Sequence, residues 1–189
     1  MAQWYIIKSP EQIAAITSPG REEIIDTIAQ IGPCTISELA RAVGRPRNAL
    51  YYGVKALRDC GLLVETCRSI AGAKTTAVYD VAARPMAVNF SVDTPQRRAA
   101  VNSLAEARLK HAIKGFKRAS SATGLRTSGP ARNLLATRVK GWLSESDLIE
   151  VNRLLEEIVD VMSRPGCARD RAFDLTFALY PTSPNAKSD

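Results

Sequence analysis

The chain has 189 residues, of which 46% are hydrophobic and 24% charged, a composition typical of a soluble globular protein. Its length suits one ordinary domain with a substantial extension and is too short for two large domains. It contains no run of about 18 apolar residues and no signal-peptide pattern at its N-terminus, so we expect a cytoplasmic protein without a membrane partner. The net charge of +7 favours a polyanionic partner, because basic surfaces release counterions when they bind nucleic acid.

The N-terminal third carries two helix-start signals. Residues 4–7, WYII, fit either a strand or the beginning of a helix. Ser9, followed by proline, and Gln12 supply an N-cap and a capping-box glutamine. Ser18 is again followed by proline, and isoleucines at helical spacing continue to Gly32. The sequence therefore predicts two helices before residue 33.

The segment 35–63 predicts two short helices joined by a tight turn. Thr35 and Glu38 have the spacing of a capping box, and Gly44 can end the first helix in a left-handed conformation. The second helix is predicted over residues 46–60, with proline at its first position and glycine directly after it. This arrangement is a helix-turn-helix.

One face of the second helix is basic and aromatic, and no acidic residue appears in it before Asp59. The candidate DNA contacts on and next to this helix are Arg45, Arg47, Asn48, Tyr51, Tyr52, Lys55 and Arg58. We expect Arg47, Asn48 and the two tyrosines to contact bases or position the helix, and the other three to bind phosphates. The alternative is an ordinary solvated face, although such faces usually mix both charge signs.

A hairpin is predicted after the second helix. Residues 62–68 and 75–81 read as two strands on either side of a small, glycine-containing turn at 69–74. We expect this hairpin to form a wing whose flanking residues Arg68 and Lys74 reach phosphates or the minor groove. A merely solvated hairpin is the alternative, since two charges alone support the DNA contact.

Four segments resemble the winged helix-turn-helix regulators of the ArsR type, which are transcriptional repressors in bacteria and archaea. These segments are SPGREEIIDTIAQIG, TISELARAVG, RNALYYGVKALRDCGLL and AGAKTTAVYDVAA, and together they cover residues 18–83. The resemblance implies the fold, a homodimer that binds double-stranded DNA, and repression. Metal-sensing members carry a cysteine-containing motif in the helix that here reads ISELARA, which has no cysteine. The family's metal ligands therefore do not carry over, and the inducing signal stays open.

The second half of the chain is predicted to be mostly helical. Thr94 is the N-cap of a long predicted helix, in which residues 97–118 combine an apolar stripe with many basic residues. These basic residues are either a second contact with the DNA backbone or the solvated flank of the stripe. A mobile connector rich in serine, glycine and threonine is expected at 120–130. Ser144 and Asp147 cap a further helix, which is apolar on so much of its circumference that we expect a dimer core or a packed C-terminal domain.

The strongest strand pattern lies near the C-terminus. Residues 173–180, FDLTFALY, alternate strictly between apolar and other side chains, and we expect them to pair antiparallel with the segment 134–142. Residues 181–189 are predicted to be a disordered tail. The expected fold class is thus mainly α with small β (α+β), with a winged helix-turn-helix domain at 1–90 and a helical dimerisation or effector region at 91–180.

Other kinds of site are not indicated. The four cysteines, Cys34, Cys60, Cys67 and Cys167, lack Cys-x-x-Cys spacing, so we predict no metal site and expect reduced packing thiols. A redox switch at Cys60 and Cys67 is the alternative. Without a phosphate-cradling glycine loop or a nucleophile elbow, we predict neither an enzyme nor a cofactor. The apolar C-terminal residues suit a pocket for an unidentified small-molecule effector, but equally an ordinary core.

The function that these features predict is a dimeric transcriptional repressor that docks the 46–60 helix in the major groove of a pseudo-palindromic operator. The alternative is a winged-helix module for protein–protein interaction in a larger assembly, with the basic face meeting an acidic partner. An enzyme that uses carboxylates of the C-terminal region ranks below both.

Overall fold

The computed structural model describes residues 5–70, 74–84, 86–164 and 171–182. The elements in these ranges are β1 (Tyr5–Ile7), α1 (Pro10–Ile16), α2 (Pro19–Ile31), α3 (Ile36–Val43), α4 (Asn48–Asp59), β2 (Leu63–Ile70), β3 (Lys74–Val81), β4 (Met86–Val88), α5 (Pro95–Ala119) and α6 (Glu145–Met162). The fold is α+β, with a winged helix-turn-helix followed by a helical C-terminal region. None of the helices in the described ranges is long and apolar enough to span a membrane.

The predicted helix ends of the helix-turn-helix are confirmed at α3. The Thr35 amide donates to Glu38 Oε2 at 2.7 Å, and the Glu38 amide donates to Thr35 Oγ1 at 3.2 Å, which completes the capping box. Gly44 ends the helix with φ 65° and ψ 30°. This left-handed conformation is one that glycine adopts without a steric penalty.

A close approach of two helices fixes the position of α4. Its apolar residues Leu50, Val54 and Leu57 are almost fully buried, and α4 packs against α2. A Cβ atom added at Gly53 would lie 2.8 Å from Ile24 Cδ1 of α2. Glycine therefore permits an approach that a larger residue would allow only if the Ile24 side chain moved.

The predicted wing is present as an antiparallel pair of β2 and β3, in register from Leu63 opposite Val81 to Ile70 opposite Lys74. The strands extend further toward the tip than predicted. Backbone hydrogen bonds in both directions between Cys34 and Tyr79, at 3.0 and 2.8 Å, tie the wing to the turn before α3.

The N-terminal segment, which the sequence left open, is a strand. β1 pairs in parallel with β4, with Tyr5 opposite Met86 and Ile7 opposite Val88. Gln12 does not close the expected capping box; its Nε2 donates to the Tyr5 hydroxyl at 3.1 Å and to the Cys60 carbonyl at 3.0 Å. This side chain therefore links the first strand to the C-terminal end of α4.

Beyond β4, both predicted helices form. Thr94 Oγ1 accepts from the Arg97 amide at 3.2 Å at the start of α5, and Ser144 and Asp147 form the capping box of α6. The segment 120–130 contains no helix or strand, and Asn133 closes this loop by accepting from the Arg126 amide at 2.8 Å.

The predicted pairing of 134–142 with 173–180 is wrong, because neither segment forms a strand. Strict alternation predicts a strand whose apolar face is buried against another part of the protein. Here the four apolar residues of 173–180 stay about half exposed. Pairing two isolated strands would not bury that face, so a two-stranded sheet is not stable there. Most of the predicted tail, residues 183–189, lies outside the described residues.

Candidate nucleic-acid interface

The candidate interface is centred on α4, which begins two residues later than predicted. Pro46 and Arg47 form the turn before it, with the Ala49 amide donating to the Pro46 carbonyl and the Leu50 amide to the Arg47 carbonyl, both at 3.0 Å. The fixed φ of proline suits such a turn as well as a first helical position. The helix ends as predicted before Gly61, whose φ is 75°.

The N-terminal half of α4 presents four exposed polar or aromatic residues. Tyr51 and Tyr52 are 57% and 80% exposed, and Arg47 and Asn48 are also exposed. The Arg47 guanidinium donates to Ser37 Oγ of α3 at 3.3 Å and has no carboxylate partner among the described residues. Shallow depressions flank Tyr51, one of them lined by Arg47 and Asn48. The predicted base-contacting residues are thus together on one solvent-facing surface.

The C-terminal half of α4 differs, because its cations are paired with carboxylates. Lys55 Nζ lies 2.9 Å from Asp59 Oδ2, and Arg58 lies 3.3 Å from Asp59 and 2.6 Å from Glu65 Oε2 of the wing. The hydrogen bond from Lys55, with help from Arg58, lowers the pKa of Asp59. Sequence reasoning missed Glu65, because β2 brings it to α4 only after the hairpin folds.

The remaining candidate residues lie at the edges. Arg45 Nη1 lies 3.6 Å from Glu23 Oε2 of α2, so its guanidinium contacts the helix behind the interface. The backbones of Arg68 and Lys74 lie toward the wing tip, opposite Thr76 and Ile70 respectively. The side chains of Arg68 and Lys74 lie outside the described part of the structure, and their contact with DNA stays a prediction.

Several basic residues of α5 have partners within the chain. Arg108 Nη2 lies 2.6 Å from Glu22 Oε1 of α2, and His111 Nε2 lies 3.3 Å from Asp174 Oδ2. The Asp26 side chain is exposed to solvent, yet the surrounding segments desolvate its carboxyl group and, together with the Glu22 carboxylate, raise its pKa to about 6. Arg108 acts in the opposite direction.

Of the two cysteines whose side chains the structure describes, Cys34 is buried from solvent. Cys34 and Cys60 are free, and burial, followed by the charges of Glu38 and Asp80, raises the pKa of Cys34 to about 11. The side chain of Cys67 and all of Cys167 lie outside the described residues, so the redox alternative stays a prediction. Within the described ranges, no group of three or more His, Cys, Asp or Glu side chains could hold a metal ion.

Several solved structures are similar to this chain at low identity. Stf76 from the Sulfolobus islandicus plasmid-virus pSSVx is 20% identical with a TM-score of 0.31, over 35% of this chain and 84% of that one. BpsR of Bordetella bronchiseptica, whose DNA binding is described as regulated by 6-hydroxynicotinic acid, is 13% identical with a TM-score of 0.33, over 79% and 90%. The transcriptional regulator Tm0710 from Thermotoga maritima is 16% identical with a TM-score of 0.30, over 83% and 87%. Values at this level do not indicate what this chain binds.

No curated protein matches the chain. A family model described as HVO_A0114 matches residues 16–83. The matched segment contains α2, the helix-turn-helix and the wing, and it ends before β4.

Proposed function

We propose that this chain is a DNA-binding transcriptional regulator, a dimeric repressor of the ArsR type that docks α4 in the major groove. The observation that supports this most directly is the exposed face formed by Arg47, Asn48, Tyr51 and Tyr52. Guanidinium and amide groups are the side chains that read guanine and adenine edges through paired hydrogen bonds, and tyrosine hydroxyls bind phosphate oxygens. Large aromatic residues this exposed, beside an arginine with no carboxylate partner among the described residues, favour a ligand over bulk water.

The position of these residues along α4 gives each a role. Recognition helices contact base edges mainly through their N-terminal residues, so Arg47 and Asn48 are assigned to bases and the tyrosines to positioning. Lys55 and Arg58 are assigned to phosphates. To bind them, these two side chains leave their carboxylate partners Asp59 and Glu65. Exposed ion pairs stabilise by about 0–1 kcal/mol, so this exchange opposes binding only weakly.

A dimer places two α4 helices around a two-fold axis. The operator is then pseudo-palindromic, with half-sites about one helical turn, or a multiple of it, apart. Repression follows as the output that the ArsR resemblance implies.

The test is binding of the purified chain to the DNA upstream of its own gene and to random duplex of the same length, measured by anisotropy across a salt series. We expect the specific complex to be tighter by roughly a thousandfold or more, with a steep salt slope. Equal, weak binding to both duplexes would refute the regulator. A shallow salt slope with no preference for duplex DNA would favour the protein-interaction module instead.

The variant Arg47→Ala separates base reading from simple charge. We expect it to lose about 1–3 kcal/mol of discrimination between the operator and a duplex altered at one base pair. Arg132→Ala is the matched control, since it removes the same charge from an exposed residue that lies just after the connector and away from α4 in sequence. Equal weakening on every sequence would make Arg47 a phosphate contact.

A further inference from the structure

α6 is an amphipathic helix that the single chain leaves uncovered. Its apolar seam repeats at alternating spacings of three and four residues, through Leu148, Val151, Leu155, Ile158 and Met162. That spacing is typical of helices that pack along their length. None of its 18 residues is buried, and Leu148 and Ile158 are each 41% exposed. In proteins most of the stability of a helix comes from packing of its amphipathic face, so the seam needs a partner.

α5 carries a second uncovered apolar stripe. Its N-terminal half packs on the DNA-binding domain through Val101 and Leu104, which are 7% and 0% exposed. In the C-terminal half, Leu109, Ile113 and Phe116 lie on one face and are 44%, 56% and 38% exposed. This stripe is absent from the core that α1 to α4 form.

The net charges of α5 and α6 favour packing of the α5 stripe against the α6 seam. α5 has seven basic residues and one acidic residue, whereas α6 has six acidic residues and one basic residue. Pairing α6 with a second α6, or α5 with a second α5, would bring like charges together, which opposes association. Pairing α5 with α6 brings opposite charges together and covers both apolar stripes.

We propose that α6 of one copy packs on the C-terminal half of α5 of a second copy, and the reverse, so that two chains exchange their C-terminal helices. This rests on the proposed function, because it names the contact that holds two recognition helices together. The occupant is a second copy, since α6 buries no residue in the single chain, where a hydrogen bond from Gln30 Nε2 of α2 to the Met162 carbonyl, at 3.4 Å, joins only its C-terminal end to the domain. Residues 120–144, at about 3.3 Å per extended residue, are long enough to reach a neighbour.

Two full-length variants test the exchange. One replaces the α6 residues Leu148 and Ile158 with glutamine, and the other replaces the α5 residues Ile113 and Phe116 with glutamine. All four side chains are exposed, so the DNA-binding domain keeps its core, and glutamine maintains both charge and helix propensity. Ile149→Gln is the control, because Ile149 is 65% exposed on the opposite side of α6 from the seam. Sedimentation equilibrium measures the dimer dissociation constant of each.

The exchange predicts a specific result on mixing. Each variant alone has both α5–α6 contacts damaged, and we expect its dimer to be weaker by roughly a hundredfold or more. An equimolar mixture regains one intact contact, between α5 of the first variant and α6 of the second, so it should dimerise more tightly than either variant alone. Ile149→Gln should dimerise as the wild type does.

Other outcomes overturn the proposal. A wild-type monomer, or two variants that stay monomeric on mixing, would mean that α6 folds onto its own α5. An α5 variant that dimerises normally would mean that α6 pairs with α6, and added salt should then tighten the dimer rather than weaken it. A monomer that still binds its operator would refute the exchange alone, whereas an exchanged dimer without specific DNA binding would refute the proposed function alone.

Discussion

Replacing Gly53 with alanine tests how closely α4 approaches α2. The added Cβ would lie 2.8 Å from Ile24 Cδ1 and 3.6 Å from Arg21 Cγ. Non-bonded carbon atoms rest about 3.5–4.0 Å apart, so the end of the Ile24 side chain would have to move by about 1 Å. Ile24 is 2% exposed and surrounded by core residues, so it has little room to do so.

The expected magnitude is the difference between two effects. Overpacking a core destabilises by about 1–3 kcal/mol, while alanine in a helix is more favourable than glycine by about 1 kcal/mol. We therefore expect Gly53→Ala to lower the free energy of unfolding by about 1 kcal/mol. In an Ile24→Val background the clashing methyl group is gone, and the same substitution should raise the free energy of unfolding by up to about 1 kcal/mol.

Urea unfolding, followed by the circular dichroism of the helices, measures the free energy of unfolding of the wild type, the two single variants and the double variant. All four are measured at one protein concentration, because dimerisation shifts the apparent stability. Gly115→Ala is the control: nothing lies within 4 Å of its added Cβ in α5, so it should stabilise by about 1 kcal/mol. Equal effects of Gly53→Ala in both backgrounds would refute the close approach and the helix spacing that it sets.

Three further predictions concern charge and thiol chemistry. Glu65→Gln removes the wing carboxylate that Arg58 must leave before it binds a phosphate, so the affinity for random duplex should rise while the log–log salt slope stays close to that of the wild type; an unchanged affinity would mean that Arg58 binds no phosphate. Asp26 has a folded pKa of about 6, above its ordinary 3.8, so its contribution to stability is complete at low pH and is lost as pH rises through about 6. Asp26→Asn should therefore stabilise the protein at pH 7.5 and have little effect at pH 4, as urea midpoints at the two pH values would show. Alkylation at pH 8, mapped by mass spectrometry, should modify the half-buried Cys60 before Cys34, which is 3% exposed and has a pKa near 11; modification of Cys34 in the folded protein would contradict its burial.

The features that the sequence predicted well are those encoded within a few residues. The capping boxes of α3 and α6 each join groups three residues apart, so the letters Thr35–Glu38 and Ser144–Asp147 are sufficient to locate them. The wing follows from two apolar runs around a short turn, and the buried face of α4 follows from its helical spacing.

The features that the sequence could not supply depend on distant partners. Gln12 has the spacing of a capping residue, but the Cys60 carbonyl, 48 residues away, competes for its amide. The interface face of α4 contains no acid before Asp59, yet Glu65 reaches Arg58 from the wing. Residues 173–180 alternate strictly in sequence, but no other described part of the chain pairs with them as a strand, and their apolar side chains stay about half exposed.

The pairing of β1 with β4 has a consequence for the order of folding. Tyr5 and Met86 are neighbours in space although about 80 residues separate them, whereas the wing hairpin and the helix-turn-helix join residues close in sequence. Closing so large a loop carries an entropic cost that local contacts avoid, so this pair should form after the hairpin and the helices. β4 leads into α5, so we expect this late pairing, together with the packing of Val101 and Leu104, to set the direction in which α5 leaves the domain.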